Sequence, residues 1–245
     1  HGGLNVGHNA LVGGALAIVA FSVVISTVLF LITLGEVTGT YLKVVVRNAT
    51  ATANAIATDV QRRVTGYADI LARRPEIAIA VSGGNIEALE EMLVAELSAL
   101  KELDPSIESV EAMSRSGTVI MRGQDPTDTG DDASDRPMVR QALSGSRASG
   151  LVVAGDGRHM EFDAVVPLSF AGMPVGALSV GSRLGEDTAI FIKEKTGAEI
   201  VFFVEGEARA STLPGDQLGS LTLDPEMVDR IAGGEDVQVT REVAG

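Results

Sequence analysis

The stretch RHMEFDAVVPLSFAGMPVGALSVG, Arg158 to Gly181, decides the fold. Phe162, Ala164, Val166 and Leu168 alternate with Asp163, Val165, Pro167 and Ser169, the period-2 pattern of a sheet with one well-buried face. Gly172 sits in a short Ala-Gly-Met connection ahead of Pro174, and Val175 to Val180 returns as a small, apolar partner strand. The stretch therefore predicts a hairpin in the core of an α+β domain. Pro167 cannot donate a ladder hydrogen bond, so it belongs at a bulge or on the outward side of an edge strand.

Working back from the hairpin, Leu151–Ala154 reads as a strand followed by a Gly155-Asp156-Gly157 turn. Asp135 to Leu143 reads as a short helix with an Asp cap and Pro137 near its first position. Ile107–Met113 and Thr118–Arg122 are strands joined by a Ser-Arg-Ser-Gly turn. Two strands, a helix and three more strands make an antiparallel sheet of about five, the order of a PAS-like lobe. Before them, Asn85 caps a helix with an apolar face at Ile86, Leu89, Leu93, Leu97 and Leu100, stopped by Asp104-Pro105. Pro75–Val81 is a shorter helix. Glu36–Arg74 has no Pro before its end and carries Ile56, Val60, Val64, Tyr67 and Leu71 at helical spacing, one stripe on a helix of about 58 Å.

The chain has 245 residues and a formal net charge of -14, and none of its Asp, Glu, Lys or Arg lies before Glu36. Ala10–Leu34 is uncharged throughout and would measure about 37 Å as a helix, enough to cross a hydrocarbon core. It is expected to be a transmembrane helix; a secretory signal peptide would have a shorter apolar run and a basic start. The acidic balance, with no Lys/Arg cluster, argues against a nucleic-acid partner. The absence of cysteine excludes disulfides and Cys-based metal or redox sites. The chain starts at His1 and stops at Gly245 within apparent sheet, which suggests a fragment of something longer.

After Gly181, Leu184–Lys195 reads as a helix, and Ala198–Val204 and Glu207–Thr212 as strands around a Glu205-Gly206 turn. A helix at Pro225–Ile231 and a third strand at Val237–Val243 follow. This repeats the opening of the first lobe. The expected division is 1–35, a transmembrane helix with a short flank; 36–104, a long stalk helix and the helices after it; 105–184, a PAS-like lobe; and 185–245, a linker helix and an incomplete second lobe.

The runs ARRPEIAIAVSGGNIEALEEMLVAELSALKELDPSIESVEAMSRSGTVIMRG, DRPMVRQALSG and VVPLSFAGMPVGALSVGSRL, taken together, resemble the extracytoplasmic Cache domains of bacterial chemoreceptors and sensor kinases. The resemblance covers about Tyr41 to Thr212 and lies in the order and spacing of motifs that are individually weak. It implies a receptor in the bacterial inner membrane with Glu36 onward in the periplasm, the first lobe distal and the second proximal to the bilayer. It also implies a small-molecule ligand, pairing of two copies along the long helix, and a chemoreceptor output. A histidine kinase or cyclic-nucleotide enzyme is the alternative output. A membrane-anchored assembly protein with a non-binding PAS-like domain is the rival of another class.

No catalytic constellation is visible: there is no GxSxG, P-loop or HExxH. His1, His8 and His159 are too dispersed for a metal cluster. The acidic run Asp125, Asp128, Asp131, Asp132, Asp135 fails the EF-hand pattern, because Thr127 and Thr129 stand at ligand positions and Arg136 where a bidentate Glu is needed. No cofactor and no metal are expected. The candidate ligand-binding residues are Arg122, Arg136, Arg140, His159, Glu161 and Asp163. Arg136 and Arg140, four apart, could fork onto a carboxylate, which would suit an organic acid, while His159, Glu161 and Asp163 share one strand face. The alternative is that they are ordinary surface charges.

Overall fold

The computed structural model describes residues 14–23, 26–34, 39–154, 159–197, 199–204, 207–213 and 238–243, together with 215 and 226. Its first elements correct the sequence reading. Ala10–Leu34, expected as a membrane-spanning helix, forms in its described residues two strands, β1 (Gly14–Val23) and β2 (Ser26–Leu34). Among the described residues no helix is long and apolar enough to cross a membrane. An apolar run without polar punctuation has no period to separate a helix from buried strands, and the Val, Ile, Thr and Phe that recur here favour the pleated form.

The long helix α1 (Gly39–Ala72) follows, and along its expected stripe Val64 and Leu71 are buried while Ile56, Val60 and Tyr67 are partly so. Pro75 opens α2 (Pro75–Gly83), and Gly84 at φ 65° closes it in the left-handed conformation. Asn85 then caps α3 (Ile86–Leu103), its side chain accepting the Ala88 N–H at 3.2 Å. Leu89, Leu93, Leu97 and Leu100 are the buried face of α3.

Strands β3 (Ile107–Ser114) and β4 (Val119–Arg122), helix α4 (Pro137–Leu143), and strands β5 (Ala148–Val153), β6 (Met160–Phe170) and β7 (Met173–Leu184) complete this part. The five strands form one antiparallel sheet in the order β4-β3-β7-β6-β5. The hairpin of the opening stretch is thus its centre, turning through Ala171 and Gly172 at φ 51° and 78°, the paired positive values of a tight two-residue turn. Pro167 pairs with Ala177 of β7, whereas β5 pairs with β6 only as far as Val165. Pro167 therefore has a ladder neighbour on one side alone, which is how a central strand tolerates it.

Helix α4 begins one step later than expected. Arg136, not Asp135, is the N-cap residue, extended at φ -64° and ψ 125° with no side-chain cap, because Pro137 pushes the residue before it out of the helical region. Val139 and Ala142 of α4 pack with Met113, Val119, Val165 and Ala177 on one face of the sheet. The other face carries α2: a side chain at Gly176, the neighbour of Ala177 and hence on the opposite side, would meet Val81 at 3.2 Å and overlap the Met113 carbonyl.

Helix α5 (Glu186–Thr196) leads to the hairpin β8 (Val201–Val204) and β9 (Glu207–Ser211), and β10 (Gln238–Val243) comes last. The expected third strand exists, but it does not join β8 and β9. It pairs antiparallel with β1 in a sheet of order β10-β1-β2. The expected helix Pro225–Ile231, the turns at Gly155–Gly157 and Glu205–Gly206, and the N-terminal flank with His1 and His8 lie outside the described residues. The chain divides into two compact units, one centred on residues 54–188, the other formed by the N-terminal strands, residues 39–53 and the described residues from 189 onward.

Candidate functional site

On the face of the sheet that carries α4, the register sets polar residues beside the apolar patch under the helix. Val165 pairs with Ser179, and Ser179 with Glu111; one step along, Asp163 pairs with Gly181, and Gly181 with Ser109. Glu161 follows on β6, and Arg122 stands opposite Glu111 on β4. Period-2 alternation points all of these side chains to the same face.

Gly181 is the floor of this group. A Cβ there would overlap Ser109 Oγ and Glu161 Oε2 and come within 3.0 Å of Asp163 Oδ1. Three polar side chains thus lean over a position that has none. Gly150, on the far side of Asp163, also lacks a side chain and has only Met138 Sδ near its open position, at 3.6 Å.

The hydrogen bonds separate two clusters on this face. Ser109 Oγ donates to Glu161 Oε2 at 3.2 Å, and His159 Nε2 lies 2.9 Å from Glu161 Oε1. Ser179 Oγ donates to Asp163 Oδ1 at 3.1 Å. Closer to β4, Arg122 is buried and donates from Nε to Glu111 at 3.0 Å, with Asp128 at 3.1 Å and Asp131 at 2.8 Å from its terminal nitrogens. Arg136 spans Glu111 and Asp131, each at 3.5 Å.

These surroundings displace the carboxyl pKa values in opposite directions. Burial pushes the Glu161 carboxyl up, against the hydrogen bond and charge of His159. Asp163 is only half-buried as a residue, yet its carboxyl is surrounded by protein; desolvation first, then the charges of Glu161 and Glu111, push it up to about 8. The hydrogen bond from Arg122 holds Asp131 below the usual carboxylate range. Burial alone would lower the Arg122 pKa, but the bonds and charges of Asp131 and Glu111 outweigh it and raise it, so this guanidinium is a fixed cation.

Of the residues singled out from the sequence, the structure brings His159, Glu161 and Asp163 together, and Arg122 with Arg136 beside them. Arg140 is not in the group: it is exposed and donates to the Asp135 carbonyl at 2.7 Å. Sequence reasoning missed Ser109, Glu111, Ser179 and Gly181. The signal for the first three was polar residues at alternate positions of otherwise apolar strands, which reads equally as a solvent face. Gly181 shows its meaning only once the register sets it between Ser109 and Asp163. Among the described residues no group of three His, Asp or Glu is arranged to hold a metal ion.

A family model described as the double sensory domain of two-component sensor kinases matches residues 46–244. No curated protein matches the chain. Among solved structures, the sensor domain of the histidine kinase DctB from Vibrio cholerae is similar with a TM-score of 0.58 at 13% identity, covering 80% of this chain and 78% of that one. The ligand-binding domain of the Campylobacter jejuni chemoreceptor Tlp3, solved in complex with 4-methylisoleucine, is similar with a TM-score of 0.51 at 14% identity, covering 76% and 73%. At such identities the likeness is one of fold.

Proposed function

The chain belongs to the dCache_3 family of double sensory domains, and from that premise we propose that it is the ligand-sensing, extracytoplasmic part of a bacterial transmembrane receptor, with its small-molecule site over Gly181. The observation that carries the site is the convergence of Ser109, Glu161 and Asp163 on a glycine beside α4. A central strand gives up its own side chain at such a position, and the position is covered by Ser109, Glu161 and Asp163, polar groups that could turn to a ligand.

The charge of the site favours a ligand that brings a protonated amine. Arg122 is already surrounded by Glu111, Asp128 and Asp131, and Arg136 shares two of these carboxylates. Neither arginine is left over for an organic acid. Glu161 and Asp163 have hydroxyl and imidazole neighbours but no Lys or Arg ion pair among the described residues, so an ammonium group would offset the charge that burial now disfavours. The site binds and does not catalyse.

Residues 105–184 are assigned as the membrane-distal lobe and 185–245 as the start of the proximal one. The bilayer anchor is not assigned to Ala10–Leu34, whose described residues form β1 and β2. The family description supports a kinase as the output; a chemoreceptor, the expectation from the sequence, is the second reading, supported by the likeness to the Tlp3 domain.

Thermal unfolding of the chain against amines, amino acids and dicarboxylic acids tests this. A ligand at about a hundred times its dissociation constant should stabilise by about 2.7 kcal/mol, and Asp163→Asn should abolish the shift. Stabilisation by dicarboxylic acids alone would overturn the amine assignment. No shift with any compound, in a chain shown to fold, would sink the sensor reading.

A further inference from the structure

Strand β7 has a second polar position directly behind the site. Ser182 follows Gly181 and points to the opposite face, where it is 1% exposed and paired in register with Ile107 and Phe162, both buried. A hydroxyl in such surroundings is costly without a partner. Its partner is Ser106, with the two Oγ atoms 2.8 Å apart. Ser106 Oγ lies 2.6 Å from Asp104 Oδ1, which also accepts the Ser106 N–H at 3.2 Å. A carboxylate can only accept, so the Ser106 hydroxyl donates to Asp104 and the Ser182 hydroxyl donates to Ser106. The other oxygen of Asp104 is held by the guanidinium of Arg63 on α1.

The chain of bonds therefore runs without a gap from the C-terminal end of β7 to the long helix. Its joints are stiff. Asp104 is buried and carries a charge-assisted bond, and Ser106 is fixed a second time because its carbonyl accepts the Arg183 N–H at 2.7 Å. Other bonds from α1 go elsewhere: Gln61 donates to Ser149 at 3.1 Å and 3.0 Å, and Asp69 accepts from Arg147 at 2.9 Å, on β5 and the approach to it.

We propose that Ser182, Ser106, Asp104 and Arg63 form a relay that passes a displacement of β7 at Gly181 to α1. The proposal deepens the reading of the Gly181 face as a ligand seat and rests on it: an occupant pressing on Gly181 moves the backbone that holds Ser182, and the bonded chain carries the movement to Arg63. Spatial continuity alone does not make a pathway, so the test measures coupling.

The experiment needs no ligand and is therefore independent of the thermal-shift panel. Gly181→Ala is the probe: its methyl group presses on the movable ends of Ser109, Glu161 and Asp163. Amide hydrogen exchange of the full chain is then followed in peptides from residues 57–71. Gly181→Ala should change exchange there by about threefold or more. In a Ser106→Ala background the same probe should leave these peptides nearly unchanged. Arg63→Gln cuts the chain at its half-exposed end, should give the same loss, and decides the matter if Ser106→Ala does not fold. Gln61→Ala, which removes a different bond from α1, should leave the transmitted change intact. An equal change with and without the relay, no change in α1 with the relay whole, or an equal loss with Gln61→Ala would each overturn the proposal.

Discussion

Asp163 shows how one residue can set a property of the whole chain. Its folded pKa is raised to about 8, first by burial and then by Glu161 and Glu111. The folded state keeps this proton while the unfolded chain has already released it, so the contribution to stability is whole below the unfolded pKa and is lost as pH rises through the folded one. Glu161, also raised, acts in the same direction. The melting temperature should therefore fall between about pH 4 and about pH 8, and Asp163→Asn should flatten that slope. A slope unchanged by the substitution would show that Asp163 is not the group responsible. Asp131 works the other way: its pKa is lowered by Arg122, so its contribution is lost as the solution becomes acid. Arg122→Met should leave Glu111 and Asp131 without their central cation and destabilise by about 3 kcal/mol in urea denaturation. At Gly176 the neighbour is the Met113 carbonyl rather than a movable side chain. Gly176→Ala should accordingly cost about 3 kcal/mol, measured in the same way.

Among the elements, those with punctuation were legible in the sequence. Helix α3 has an Asn cap, a leucine face and an Asp-Pro stop, and the structure places these as read, but Ile86, the first residue of the expected apolar face, is exposed. Asn85→Ala should cost about 1 kcal/mol through the lost bond to the Ala88 N–H. Leu93→Ala should cost about 2–5 kcal/mol, because Leu93 is fully buried. Equilibrium unfolding checks both, and near-equal losses would show that the cap is more than local. The β6–β7 hairpin was legible for the same reason, since alternation and an Ala-Gly turn define it locally. β1 and β2 were not. Their residues carry no charge and no helical or alternating period, so the pattern could not separate one helix from two strands. The pairing of β1 with β10, more than two hundred residues away, was beyond any local signal.

For the molecule as a whole, the order of elements sufficed to recognise a sensory lobe, and the family match agrees over residues 46–244. The candidate site was legible only in half. His159, Glu161 and Asp163 announced themselves by their alternate spacing at the start of β6, and Ser179 lies on its hairpin partner, whereas Ser109 and Glu111 sit on β3, brought alongside by pairing with β7 across more than fifty residues. By itself, then, the sequence determined the period-2 hairpin, the capped helix α3, the acidic charge and the absence of cysteine chemistry, because these depend on residues that are near neighbours along the chain or on composition. The tertiary structure alone decided that Arg122 is enclosed by carboxylates, that Gly181 lies bare beneath three polar side chains, and that Ser182 connects through Asp104 to α1. Register and burial create those properties, and both depend on which distant segments meet, which local pattern does not encode.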